Sequence, residues 1–295
     1  MILRLATGLT LTALAASPAL ASENAVDPHQ RYNPWIFGVQ PPASDFRAGV
    51  GMVSKYIEQG RVLNDDVTAV ADVSGRIYGF GLQVTGGVAL ADDSRGFFDT
   101  EALDMPGLNL KLDFLGELEW DKGIPLLTIN PYFEIVTAPV QPSELGSKPN
   151  TYKTRQRWLG VDAWVAPPFK GWEGLEFGGG LAINTAPDVN AFRGAVGARQ
   201  MFKIHGFDIF AYQLANFGNS DYREDLVGGD KDHQGITTLA GGLDVRMALP
   251  YREWWLNLGA DLSWWVSETD RKAVKATQDT TNLTLSIGIE WIPGE

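Results

Sequence analysis

The sequence holds no cysteine in 295 residues. Disulfide staples, thiol nucleophiles and thiolate metal sites are therefore excluded together. Histidine is almost as scarce: His29, His205 and His233 are the whole supply, and they lie too far apart in the chain to suggest a metal cluster. Basic residues number 24 against 36 acidic ones, a net charge of -12. With so little to neutralise phosphates, nucleic acid is excluded as a partner. Beyond the first two dozen residues there is no apolar run long enough for a membrane helix. If the chain enters a bilayer it must do so as a closed barrel, because open sheet edges leave backbone groups without partners in hydrocarbon.

What is present begins with export. Met1, Ile2, Leu3 and Arg4 make a short positive start, residues 5–16 are apolar and small, and Ala19, Leu20 and Ala21 give a small-x-small cleavage pattern. This reads as a signal peptide over residues 1–21, with a mature chain from Ser22. Residues 22–45 carry proline, asparagine and polar side chains without a period, as expected of a periplasmic arm, or of a leader that folds inward as a plug.

From Phe46 to Glu295 the pattern changes to period two. Leu108, Leu110, Leu112, Phe114, Leu118 and Trp120 alternate with Asn109, Lys111, Asp113, Glu117 and Glu119. A helix would smear those charges around every side, whereas a strand puts them all on one face. The runs Trp254 to Val266 and Leu283 to Trp291 repeat the alternation. Weaker copies cover 47–59, 67–76, 80–90, 127–138, 156–166, 175–184, 192–204, 207–216 and 237–249. Together they predict an all-β protein, a closed antiparallel up-and-down transmembrane barrel of about twelve strands.

The connections sort by length. Short turns are expected near residue 78 and at 121–125, 169–173, 205–206 and 250–252, while the opposite connections are mostly long polar loops, 92–107, 139–155, 218–235 and 268–279, with brief ones near 61–65 and 186–190. Short turns at one end and long loops at the other are the habit of outer-membrane barrels, and a soluble sandwich has no reason to adopt it. Aromatics fall near the same ends. Phe46, Phe80, Trp120, Trp254, Trp264 and Trp291 are the expected membrane girdle, with Tyr56 and Trp158 beside the outer loops.

If the greasy parity faces lipid, the other parity lines the lumen. It supplies basic Arg47, Lys55, Arg76, Lys111, Arg193, Arg199, Lys203 and Arg246, and acidic Asp72, Asp113, Glu117, Glu119, Glu134, Asp162, Glu176, Asp208, Asp244, Asp261 and Glu290. So many charges in a dry core would be prohibitive unless nearly all were paired; water in the lumen or dense cross-strand pairing relieves the cost. The long loops at 92–107 and 218–235 are acidic, a solvated surface or a lure for cations.

No catalytic residue, resident metal or cofactor is expected. None of the histidines sits in a local catalytic signature, and Gly178, Gly179 and Gly180 fall inside a strand pattern with no helix behind them to make a phosphate loop. The expected partners are outer-membrane lipids, the barrel-assembly machinery and small solutes.

Residues Ser54, Lys55, Tyr56, Ile57, Glu58, Gln59 and Gly60 resemble the Ser-x-Tyr-x-x-x-Gly opening of the TorF-like group of outer-membrane barrels. The closing strand, with Leu285, Ile287, Ile289 and Trp291, looks like the assembly signal of outer-membrane proteins. The resemblance implies an outer-membrane location. The composition leaves three functions open: a passive porin-like channel with a charged lumen, a non-conducting structural or adhesive barrel, and a secreted soluble β-sandwich that binds carbohydrate through its tryptophans.

Overall fold

A computed structural model describes residues 46–58, 61–77, 80–90, 107–121, 124–137, 155–167, 174–185, 190–227, 235–251, 253–274 and 280–293. The signal peptide and the arm expected over 1–45 lie outside them.

The strands are β1 (Phe46–Val53), β2 (Tyr56–Glu58), β3 (Arg61–Asn64), β4 (Thr68–Ile77), β5 (Phe80–Ala89), β6 (Gly107–Phe114), β7 (Gly116–Asp121), β8 (Ile124–Thr137), β9 (Arg155–Val165), β10 (Leu175–Asn184), β11 (Phe192–Ile204), β12 (Phe207–Gly218), β13 (Gly235–Ala248), β14 (Trp254–Trp265) and β15 (Thr281–Trp291). Two short helices interrupt them, α1 (Ser220–Val227) and α2 (Glu268–Val274). All strands but β2 and β3 belong to one antiparallel sheet. Each wall strand pairs with its sequence neighbours, β15 pairs with β1, and β6 pairs with β8, so the sheet closes on itself. Against β8, β7 continues the register of β6: Leu108 faces Thr137, Asp113 faces Tyr132, and Gly116 faces Ile129. The two make one wall strand with a break at Leu115, which leaves a closed barrel of twelve strands.

The strands run where the alternation puts them because closure gives each residue only two destinations, outside or inside. In β15, Leu283, Leu285, Ile287 and Ile289 are exposed, while Asn282, Thr284, Gly288 and Glu290 are buried. The tight turn between β11 and β12 is His205–Gly206, both at positive φ (50° and 87°), the two-residue hairpin geometry that matches strand twist. Residues 78–79 and 122–123 separate strands at that same end. Residues 90–106, 138–154, 219–234 and 266–280 connect strands at the other end, so the long connections share one end, together with the brief connection 185–191.

Two features differ from the sequence reading. The first strand stops at Val53 instead of running to Gln59. Ser54 and Lys55 bend, and β2 and β3 form a separate hairpin. Lys55, expected on the wall, therefore sits in the bend. The polar stretches 218–235 and 268–279 also contain α1 and α2. The N-terminus of α1 is capped by Asn219, whose Oδ1 accepts from the Tyr222 amide (3.1 Å) and from the Phe192 amide (3.0 Å), tying the helix to the start of β11.

Candidate functional site

The two faces of the wall have opposite chemistry. Outside, Val50 is 62% exposed and Leu285 54%, within a band that includes Val73, Leu82, Val84, Leu112, Leu159, Leu181, Val196, Leu243 and Leu258. Inside, Arg47 is 2% exposed and Glu290 1%. A continuous apolar belt around a closed sheet is far beyond the patch a soluble monomer leaves bare. The candidate site is therefore the interior.

Its charges are organised in pairs that reach across the wall. Arg47 bridges Asp72 on β4 (2.9 Å) and Glu290 on β15 (2.8 Å), spanning the seam where the first and last strands meet. Asp72 also accepts from Gln83 Nε2 (2.8 Å) and Thr85 Oγ1 (2.7 Å). Arg76 holds Asp113 at 2.8 Å over the intervening β5, and Lys111 faces Asp162 at 3.6 Å over β8. Arg193 pairs with Glu134, which Asn109 also contacts at 2.5 Å. Arg199 pairs with Glu176 at 2.5 Å, and Asp208 receives Arg246 at 2.8 Å and Lys203 at 3.1 Å. Tyr212 donates to Asp261, and Asp244 lies on the same inner face. The interior is thus a net of charge-assisted hydrogen bonds, most of them shielded from bulk water and so stronger than a surface pair, with Lys203 the exposed exception.

Aromatic rings fill the space between the charges. Lys111 sits over Tyr132 (4.3 Å to the ring centroid), Arg193 over Trp158 (4.3 Å), Arg199 over Trp164 (4.1 Å) and Arg246 over Trp255 (4.2 Å). Such contacts hold a guanidinium flat while leaving its edge free to bond a carboxylate. Sequence reasoning gave Trp158 and Tyr56 to the outer girdle, but both point inward. Trp158 is buried against Tyr222 of α1 at 5.9 Å, edge to face. Tyr56 lies so close to inward-facing Gly87 and Gly107 that a Cβ at Gly107 would stand 2.8 Å from its ring. For Trp158 the period-two pattern assigns the inward parity correctly, and treating it as a lipid-facing aromatic is what misplaced it; Tyr56 has the outward parity of β1 and is turned inward by the bend at Ser54 and Lys55.

Both intrusions sit at the end of the interior that carries the long connections. The β2–β3 hairpin is held by Tyr56 and by Asn64 Nδ2 donating to Thr68 Oγ1 (3.1 Å), with Val62 and Asn64 fully buried. On the far side Tyr222 joins Val136, Trp158, Ala182, Ala191 and Trp265 in one apolar cluster. The ion pair Arg223–Asp270 ties α1 to α2 above it.

Of the expected girdle, Phe46 packs on Trp291 (5.7 Å), Phe80 on Phe114 (5.0 Å), and Trp254 is exposed. Trp264 has the outward parity but is buried at its end of β14. Trp120, Glu117 and Glu119 lie on β7, and their side chains are outside the described residues. His205 is exposed in its turn, while His29 and His233 are not described. Among the described residues no group of three or more histidine, aspartate or glutamate side chains is placed to hold a metal, and no helix is long and apolar enough to cross a membrane.

Neither a family model nor a curated protein sequence matches this chain. Solved barrels are similar in outline. A KdgM porin aligns at TM-score 0.44 and 7% identity over 83% of this chain and 97% of that one. A NanC porin aligns at 0.46 and 11% over 83% and 98%. The COG4313 outer membrane channel from Pseudomonas putida F1 aligns at 0.47 and 11% over 88% and 99%. Scores and identities this low carry no inference about activity, and the interior has to be read from its own residues.

Proposed function

We propose that the chain is an outer-membrane barrel, inserted by the barrel-assembly machinery, and that it acts as a narrow passive channel for small solutes, with Arg47, Asp72, Lys111, Asp113, Glu134, Asp162, Glu176, Arg193, Arg199, Asp244, Arg246, Asp261 and Glu290 lining the passage. One observation carries the reading: a closed twelve-strand wall with an apolar exterior and an ionised interior. That arrangement inverts a soluble protein and suits hydrocarbon outside with a polar path within. Most wall strands run ten to fourteen residues, and strands of that length, tilted in a barrel, span roughly the 25 Å apolar band of an outer membrane.

The interior argues for a narrow passage. Most of its charges are paired and buried, and the hairpin and Tyr222 occupy the outer end. The same observation favours a second reading, a non-conducting structural barrel. Conductance of the purified protein in planar bilayers separates them. Small, discrete current steps are expected, well below those of a wide general porin; a protein that inserts and gives no steps is the structural barrel.

A further inference from the structure

Among the described residues, the inward-facing acids elsewhere in the wall have a basic partner, but Asp244 and Asp261, on the stretch of β13, β14 and β15 they share, do not. In the β13–β14 ladder Asp244 faces Gly259 and Asp261 faces Gly242. Each carboxylate folds over the glycine opposite. A Cβ on Gly242 would collide with Asp261 Oδ1, and one on Gly259 with both Asp244 Oδ1 and Ser286 Oγ. The glycines make room for the two acids to lie against the wall, and Ser286 reaches the same space as Asp244. Tyr212 donates to Asp261 from β12, and Thr284 stands opposite Asp261 on β15.

Among the described residues neither acid is in ion-pair contact with arginine or lysine. Arg246, two residues along the same face, is committed to Asp208 and lies over Trp255. Asp244 and Asp261 are 6% and 5% exposed, so water does little for them. The Asp244 Oδ2, Thr284 Oγ1 and Ser263 Oγ atoms are buried without a hydrogen-bond partner, and Thr284 is only 1% exposed. Two unpaired carboxylates and two idle hydroxyls on one buried face are costly unless something satisfies them. Every donor there is a hard oxygen, two of them anionic, which is the chemistry that selects calcium-like ions over softer metals.

We propose that Asp244, Asp261, Tyr212, Thr284 and Ser286 form a binding site for a hard divalent cation, of which calcium is the type, on the inner wall of the barrel. The inference goes beyond the channel reading and survives if the barrel does not conduct. An ion there would cross-link β12 to β15 through their side chains and set the local field of any passage.

Terbium tests it, since an aromatic ring beside the ion sensitises its emission and Tyr212 is bonded to one of the ligands. The full chain, folded in detergent as shown by heat-modifiable gel migration, is titrated with terbium while tyrosine is excited. Saturable emission displaced by calcium is expected. Asp244→Asn and Asp261→Asn should each weaken terbium binding about tenfold or more, while Asp221→Asn on α1 should leave it unchanged. Should an aspartate variant fail to fold, Tyr212→Phe keeps both carboxylates and is expected to lose most of the emission. No saturable emission, or the same emission from Asp244→Asn, Asp261→Asn or Tyr212→Phe as from the native chain, overturns the site.

Discussion

At the scale of single residues the wall works by contrast between neighbours in sequence. Leu285 and Thr284 are adjacent, yet one is 54% exposed and the other 1%. Leu285→Arg is expected to destabilise the barrel in lipid by about 2–4 kcal/mol, the cost of a cation near the middle of the apolar band. Urea-dependent folding into vesicles measures it, and a change under about 0.5 kcal/mol, ordinary for a water-exposed site, would contradict the lipid-facing assignment. Arg47 is the inward counterpart. Arg47→Met leaves Asp72 with two neutral donors, and leaves Glu290 with Asn257 at 3.3 Å. A loss of about 3 kcal/mol is expected from the two stranded carboxylates, read from the same folding titration. Parity placed Arg47, Asp72, Glu134 and Glu290 from sequence alone. It did not show which acid meets which base, because Arg76–Asp113 and Arg193–Glu134 join strands that are not neighbours, and that reach depends on barrel curvature and side-chain length.

At the scale of elements, the sequence marked the wall strands and missed the pieces that leave the wall. Extending the period of β1 past Val53 gives Tyr56 an outward parity, but the bend at Ser54 and Lys55 turns its ring inward, and nothing in the pattern announces that break. The helices α1 and α2 are shorter than three turns, too short for a periodic signal, and they rest on Asn219 and on the Arg223–Asp270 pair. If the β2–β3 hairpin narrows the passage, its anchor controls it. Tyr56→Ala removes the ring seated on Gly87 and Gly107 and is expected to raise the unit conductance in planar bilayers with the fold intact by gel migration. An unchanged conductance would mean that the hairpin does not constrict the path. Arg223→Ala separates α1 from α2 and strands Asp270; faster protease cleavage within 220–274 is the expected result, with the barrel strands protected.

At the scale of the whole molecule, stability is tied to closure. The seam between β1 and β15 carries six residue pairs, Ala48 with Trp291 through Val53 with Ser286, and Arg47 bolts it from inside. With no edge of a wall strand left unpaired, the barrel is expected to migrate faster on a gel before boiling than after. Fold class and the separation of long from short connections were legible because a two-sided wall writes its period on every strand. The filled interior was not, since Trp158, Trp164 and Tyr212 obey the same parity as the charges and composition alone does not say how tightly they meet.

The lack of native cysteine makes the decisive experiment clean. Single cysteines placed from 282 to 290 on β15, spin-labelled in proteoliposomes, report collision with oxygen, which concentrates in lipid, and with a water-soluble nickel chelate. Labels at 283, 285, 287 and 289 are expected to be oxygen-accessible and shielded from nickel, with oxygen access falling at 282, 284 and 290 in strict alternation. Flat profiles, or nickel access at 283, 285, 287 and 289, would show water where hydrocarbon is required and would contradict the membrane barrel outright.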